Sequence, residues 1–193
     1  MTENAGKPAP GEALDSLGRI KLLSLDVDGV LTDGGIYYTD SGDTFRKFNA
    51  QDGMGLARLR KAGLAITIIS AGAPGAIEHR ARRLGIKHVF TDVSDKLGTL
   101  GGLAGELGLE MAEVAHMGDD VNDLPLMNAA GLAIASANAV PEVLDAAAIV
   151  TTRRGGDGAV REVCDAILKA HGQKLETNLA FDSHLPGEGK GGT

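Results

Sequence analysis

Strand-length apolar runs alternate with stretches of helical spacing through the middle of this chain, and no other feature narrows its possible folds as much. The runs lie at 20–25, 64–69, 88–90, 114–117, 132–134 and 148–150, and the helical stretches at 53–62, 74–84, 96–107, 123–129, 139–146 and 158–170. Leu56, Leu59 and Arg60 in one stretch, and Val160, Val163, Cys164 and Ile167 in another, follow the i, i+3, i+4, i+7 stripe of a helix that buries one face. A chain passing repeatedly from strand to helix to strand makes right-handed crossovers, which predicts an α/β fold with a parallel sheet covered by helices on both faces. At 193 residues, with its polar, Gly-rich ends discounted, the chain reads as one domain over 19–171 between mobile tails at 1–18 and 172–193. One segment breaks the alternation. Residues 35–39 and 44–48 flank Asp40-Ser41-Gly42-Asp43, predicting a β-hairpin over 35–48 that projects over the site or pairs with another subunit through Tyr37 and Tyr38.

Ligands of such sheets bind beyond the carboxyl ends of the strands, so the residues standing there carry the functional question. Asp26 and Asp28 follow the first run, and Gly29 permits the turn that would bring both to one centre. By themselves they read equally as solvated acids of an Asx-type turn. A second acidic cluster, Gly118-Asp119-Asp120-Val121-Asn122-Asp123, follows the fourth run on the same expected edge. Helix capping explains one of these acids more easily than both clusters. Two carboxylates ~4 Å apart repel by about 4 kcal/mol at an effective dielectric of 20. Binding a phosphate there therefore calls for a cation, and oxygen-only ligation with room for water suits Mg²⁺. Ser70 closes the second run before Ala71-Gly72, where a hydroxyl and backbone N–H groups can meet a phosphate or merely cap a helix. Lys96 stands at a helix start, where the macrodipole disfavours it, which points slightly to a functional charge over a surface one.

A formal net charge of -7 argues against a nucleic-acid or acidic-membrane partner, and no apolar run approaches the ~20 residues of a membrane span. Cys164 is the only cysteine, which excludes an intrachain disulfide and a thiolate zinc cluster and fits a reducing cytoplasm. No signal peptide is evident near Met1, so an unexported protein is expected.

The ordered set Asp26-x-Asp28-Gly29, Ser70, Lys96 and Gly118-Asp119-Asp120-x-x-Asp123 resembles the four-motif pattern of the haloacid dehalogenase superfamily. Residues 26–34, Phe48-Asn49-x-x-Asp52-Gly53 and Gly155-Gly156-x-Gly158-Ala159-Val160-Arg161-Glu162 extend the resemblance to its 3-deoxy-manno-octulosonate 8-phosphate phosphatases, over about residues 19–170. The resemblance implies a Rossmann-like sheet without a large cap domain, a homotetramer, and hydrolysis of a sugar-acid phosphate in lipopolysaccharide precursor synthesis. It further implies that Asp26 is the nucleophile and Asp28 the general acid and base, with Ser70 and Lys96 holding phosphoryl oxygens. Asp26, Asp28 and Asp119 would be the Mg²⁺ ligands, with Asp123 orienting them. Substrate contacts would come from Thr32, Asp33, Ser70, Ala71, Lys96 and Asn122.

The family usually follows its second-motif Ser or Thr with Gly-Arg, whereas this chain has Ser70-Ala71-Gly72-Ala73-Pro74. An arginine can grip a substrate carboxylate with two hydrogen bonds, so its absence bears on substrate choice. Arg153, Arg154 and Arg161 are the candidates to replace it. A nine-carbon keto-deoxy sugar acid 9-phosphate stays open as the substrate, as does a catalytically weakened binding or scaffold protein. His116, inside a strand run, reads as a satisfied core residue, and His79, His88, His171 and His184 as surface or tail positions.

Overall fold

The computed structural model describes residue 13 and residues 15–173. The expected C-terminal tail lies outside these residues except for 172 and 173. The expected N-terminal tail lies largely outside them, but its described part includes Ala13 and Leu17, both buried in the core.

Six strands form one parallel sheet: β1 (Leu22–Leu25), β4 (Ala65–Ile69), β5 (His88–Phe90), β6 (Val114–Gly118), β7 (Leu132–Ala135) and β8 (Ile149–Val150). Their order across the sheet is β5-β4-β1-β6-β7-β8. Helices α1 (Ala50–Lys61), α2 (Ala76–Leu84), α3 (Lys96–Glu106), α4 (Leu124–Ala129) and α5 (Pro141–Ala146) fill the five crossovers, and α6 (Ala159–Ala170) follows the last strand. The α/β fold read from the sequence is the observed one.

Strands covered on both faces read as continuous apolar runs, and all four residues of β1 are buried. Alternation along the strand then divides the core. Leu23 and Leu25 join Leu56 and Leu59 of α1 and Val160, Val163 and Ile167 of α6. Leu22, on the opposite face, joins Leu100 and Leu103 of α3 and Leu126 of α4.

Helical spacing predicts a start at 53, but α1 begins at Ala50 behind Asn49, whose side chain accepts the Gln51 N–H at 2.7 Å. Gly53 and Gly55 had obscured the pattern. A Cβ on Gly55 would stand 3.0 Å from the Cys164 Cβ, so its absence lets α1 lie close against α6.

The hairpin is present as β2 (Tyr37–Tyr38) and β3 (Thr44–Phe45), antiparallel, with the Tyr37 and Phe45 rings stacked. An isolated bridge between Thr32 and Phe48 closes its base beside the end of β1. From β1 the chain proceeds to β4 and β5 on one side, then returns to β6 on the other. This is the switch point at which such sheets open a crevice. Asp26, Ser70 and Asp119 each stand one residue beyond the ends of β1, β4 and β6, on three adjacent strands. No helix among the described residues is long and apolar enough to cross a membrane.

Candidate active site

The loop after β1 is a tight turn in which Val30, Leu31 and Thr32 all donate their N–H to the Val27 carbonyl. Gly29 takes φ +85° there, and a Cβ on it would lie 1.8 Å from Asp119 Oδ2. Glycine is thus required twice, by its backbone conformation and by the carboxylate that fills the space a side chain would need. The Gly29 carbonyl accepts hydrogen bonds from Ser136 Oγ at 3.1 Å and Asn138 Nδ2 at 2.9 Å. Gly155 packs against it so closely that a Cβ there would come within 1.8 Å of the same oxygen. Asn138 Oδ1 accepts the Gly155 N–H at 2.6 Å, so the C-terminal Gly-rich element braces the Asp26–Asp28 turn.

Inside the crevice, Asp26, Asp119 and Asp123 bring carboxylate oxygens within 4.8 Å of one another. Lys96 enters from the first turn of α3, its side chain 5% exposed, and donates to Asp26 Oδ1 at 3.0 Å and Asp123 Oδ1 at 2.7 Å. Asp123 Oδ2 accepts the Asp119 N–H at 3.1 Å. It makes no side-chain cap to α4, so capping does not account for this acid.

Crowding of acids shows in their titration. Burial first, and the nearby Asp123 second, push Asp26 up to about 6 despite Lys96. Burial, reinforced by Asp26 and Asp123, pushes Asp119 up to about 7. Burial would raise Asp123 as well, but His116 and Lys96 outweigh it and hold this carboxyl below its ordinary range. Lys96 is the firmer of the two partners, because burial drives His116 towards its neutral form. For Lys96, burial opposes the charge, but Asp26 and Asp123 prevail and raise it.

The remaining residues singled out in the sequence divide. Ser70 is buried, and its Oγ accepts the Gly72 N–H at 3.0 Å, shaping the loop well before α2 begins. Ala71 and Asn122 are exposed on the loops beyond β4 and β6. Thr32 is fully buried, with its hydroxyl occupied by the Gly29 and Gly34 N–H groups and the Val27 carbonyl. It therefore holds the turn and has no surface to offer a substrate. The carboxylate of Asp33 meets the Gly35 N–H, the Tyr37 hydroxyl and Lys47, which fastens the hairpin base.

The sequence does not announce one neighbour of the site, Arg46, nor the contact that a second, His116, makes with it. Arg46, at the end of the hairpin, clamps Asp28, with Nε 2.8 Å from Oδ1 and Nη2 3.2 Å from Oδ2. The arginines considered as replacements lie elsewhere: Arg161 pairs with Asp165 at 2.7 Å and Arg153 donates to Gln51 at 3.1 Å. His116 shares a 3.0 Å hydrogen bond with Ser24 through Nδ1, as expected of a core histidine. Its Nε2, by contrast, is buried without a hydrogen bond, 3.5 Å from Asp123 Oδ1, so the histidine expected to be satisfied in the core is satisfied at one nitrogen only. A strand register that turns His116 and Ser24 side by side was the available signal for this contact. For Arg46 no comparable local pattern exists.

The donor set fits a hard divalent cation. Asp119 Oδ1 is buried without any hydrogen-bond partner, and burial followed by mutual repulsion raises the carboxyls of Asp26 and Asp119. Asp123 has both oxygens engaged already, which leaves Asp26 and Asp119 as the side chains with ligating capacity.

The haloacid dehalogenase-like hydrolase family profile matches residues 86–163. A 3-deoxy-D-manno-octulosonate 8-phosphate phosphatase, KdsC, from Yersinia pestis is 41% identical over 169 residues, spanning 88% of this chain and 90% of that protein. A phosphatase of the same description from Moraxella catarrhalis, solved with magnesium, phosphate and KDO, superimposes with a TM-score of 0.82 at 40% identity, covering 84% of this chain and 93% of that one. The cobalt-bound deoxy-D-mannose-octulosonate 8-phosphate phosphatase of Haemophilus influenzae gives a TM-score of 0.79 at 36% identity, covering 81% and 92%.

Proposed function

We propose that this chain, which belongs to the haloacid dehalogenase-like hydrolases, is a Mg²⁺-dependent phosphatase that hydrolyses 3-deoxy-D-manno-octulosonate 8-phosphate. The observation that carries the reading is the convergence of Asp26, Asp119 and Asp123 around the buried Lys96, with Asp119 Oδ1 left unpartnered. The magnesium, phosphate and KDO bound by the relative of similar structure support the same cofactor and substrate class here.

In this mechanism Asp26 attacks phosphorus, and the bond to the sugar oxygen breaks as Asp28 gives that oxygen a proton. Water then attacks the aspartyl-phosphate, Asp28 takes its proton, and phosphate leaves with Asp26 restored. Lys96, held on Asp26 and Asp123, offsets charge on the phosphoryl oxygens, and the Ser70 hydroxyl, which accepts the Gly72 N–H, has its own proton to donate to them. Mg²⁺, held by Asp26 and Asp119 and by the backbone at Asp28, would supply Lewis-acid stabilisation of the phosphoryl charge. Asp123 orients Asp119 through its N–H.

Self-association belongs to the proposal: Ile36, Tyr37, Tyr38 and Phe45 expose an apolar hairpin surface of the kind subunits cover, here in a homotetramer. The proposed setting is the cytoplasm, consistent with a buried, unpaired Cys164.

Phosphate release with Mg²⁺, measured for wild type and Asp26→Asn, tests the mechanism. Loss of turnover in the variant is expected, and equal activity in the two proteins refutes it. Catalytic efficiencies on the eight-carbon 8-phosphate and a nine-carbon 9-phosphate, compared side by side, test the substrate.

A further inference from the structure

Each carboxylate oxygen of Asp28 accepts a hydrogen bond from Arg46, so the guanidinium competes with the leaving group for the residue assigned the proton transfers. Each oxygen keeps a second lone pair, but the direction facing Arg46 is taken, and a leaving group on that side meets the guanidinium before it meets Asp28. The Arg46 side chain is only 11% exposed, so a guanidinium leaving Asp28 must find another anion or forfeit two charge-assisted hydrogen bonds.

The surroundings say which anion. Phosphoryl oxygens must lie beside Asp26, where Lys96 already stands 3.0 Å from Oδ1. Arg46 reaches instead to Asp28 and Gly72, the side on which the alcohol part of the ester must leave. A Cβ on Gly72 would lie 2.8 Å from Arg46 Nη2, 3.2 Å from Ser70 Oγ and 3.3 Å from Asp28 Oδ2. The guanidinium thus occupies space that a side chain at residue 72 would claim, and it does so in a loop that lacks its own arginine. Away from Asp28, Arg46 lines an open cavity with Arg80 and Arg83, so its surroundings are positively charged and favour an anionic group beside it.

We propose that Arg46 is the residue that selects a sugar acid: it rests on Asp28 and exchanges that carboxylate for the carboxylate of the substrate. The planar fork that grips one carboxylate bidentately grips another equally well, so the exchange keeps the guanidinium paired and leaves Asp28, 30% exposed, to water and the leaving group. A phosphate ester without a carboxylate offers no such replacement and meets a closed site. The proposal rests on the phosphatase reading above and adds the residue that reads the substrate's acid group.

The test compares wild type, Arg46→Met and Arg46→Lys on 3-deoxy-D-manno-octulosonate 8-phosphate and on p-nitrophenyl phosphate, with kcat and KM separated and folding checked by circular dichroism. Arg46→Met is expected to raise KM for the sugar acid by roughly 10- to 100-fold, the worth of hydrogen bonds between charged groups. On p-nitrophenyl phosphate the same variant is expected to gain efficiency several-fold, because Asp28 is no longer clamped. Arg46→Lys keeps the charge without the fork and recovers part of the sugar-acid KM. A parallel loss on both esters, or an unchanged KM for the sugar acid, overturns the assignment. Failure of the wild-type protein to hydrolyse either ester with Mg²⁺ would instead remove the phosphatase reading beneath it.

Discussion

Replacing Asp119 with Asn should stabilise the metal-free protein while abolishing its response to Mg²⁺. The carboxyl of Asp119 is raised from its ordinary 3.8 to about 7 in the folded chain, chiefly by burial and then by Asp26 and Asp123. The folded state therefore keeps this proton across a range in which the unfolded chain has released it. Stability falls as pH rises from about 4 to about 7, and the deficit is complete above that. A rise of this size corresponds to roughly 4 kcal/mol, which solvent screening at a partly exposed group reduces to about 2 kcal/mol. Asn keeps the shape and removes the charge, so at pH 8 without metal the variant should melt about 4 to 8 °C higher than wild type. At pH 5, where Asp119 holds its proton, the gain should vanish. Saturating Mg²⁺ should then raise wild type by an amount set by its dissociation constant, about 2.7 kcal/mol at a hundredfold excess, and leave the variant nearly unmoved. Thermal unfolding in EDTA and in Mg²⁺ at the two pH values measures all four states. If Asp119→Asn lowers the melting temperature at pH 8 without metal, or Mg²⁺ stabilises both proteins alike, the acid cluster is not a cation site.

Two more outcomes follow from close contacts. Gly29→Ala should lose Mg²⁺-induced stabilisation and cost about 1–3 kcal/mol, because the new Cβ meets Asp119 Oδ2 at 1.8 Å from a backbone at φ +85°. Denaturant unfolding with and without Mg²⁺ reads both effects. Lys96→Met should cost about 3–5 kcal/mol at pH 8, since Asp26 and Asp123 then face each other without their cation. Below pH 6 the loss should shrink as Asp26 takes up a proton, its carboxyl titrating near 6 in the intact site. A pH-independent loss would show that Lys96 contributes packing alone.

Much of this molecule is written in local order along the chain. The period of apolar residues separates strand from helix, and strand–helix alternation with the handedness of crossovers leaves a parallel sheet. A residue just past the carboxyl end of a strand is then bound to stand on the ligand edge, and that is why the sequence alone places Asp26, Ser70 and Asp119 there. Glycine also leaves a local mark: Gly29 signals a turn because few other residues tolerate its backbone angles. What escaped depends on distances through space. Arg46 lies on an exposed hairpin whose sequence is consistent with either of its faces turning inward, and only the folding of that hairpin back over β1 brings the guanidinium to Asp28. Thr32 has the chemistry of a substrate contact, but the turn consumes its hydroxyl. Lys96 was legible as misplaced at its helix start, whereas its two partners, Asp26 and Asp123, come from segments 70 and 27 residues away. Local physics chose the elements and their edge; long-range packing chose which charges meet there, because desolvation makes a buried charge tolerable only beside its opposite.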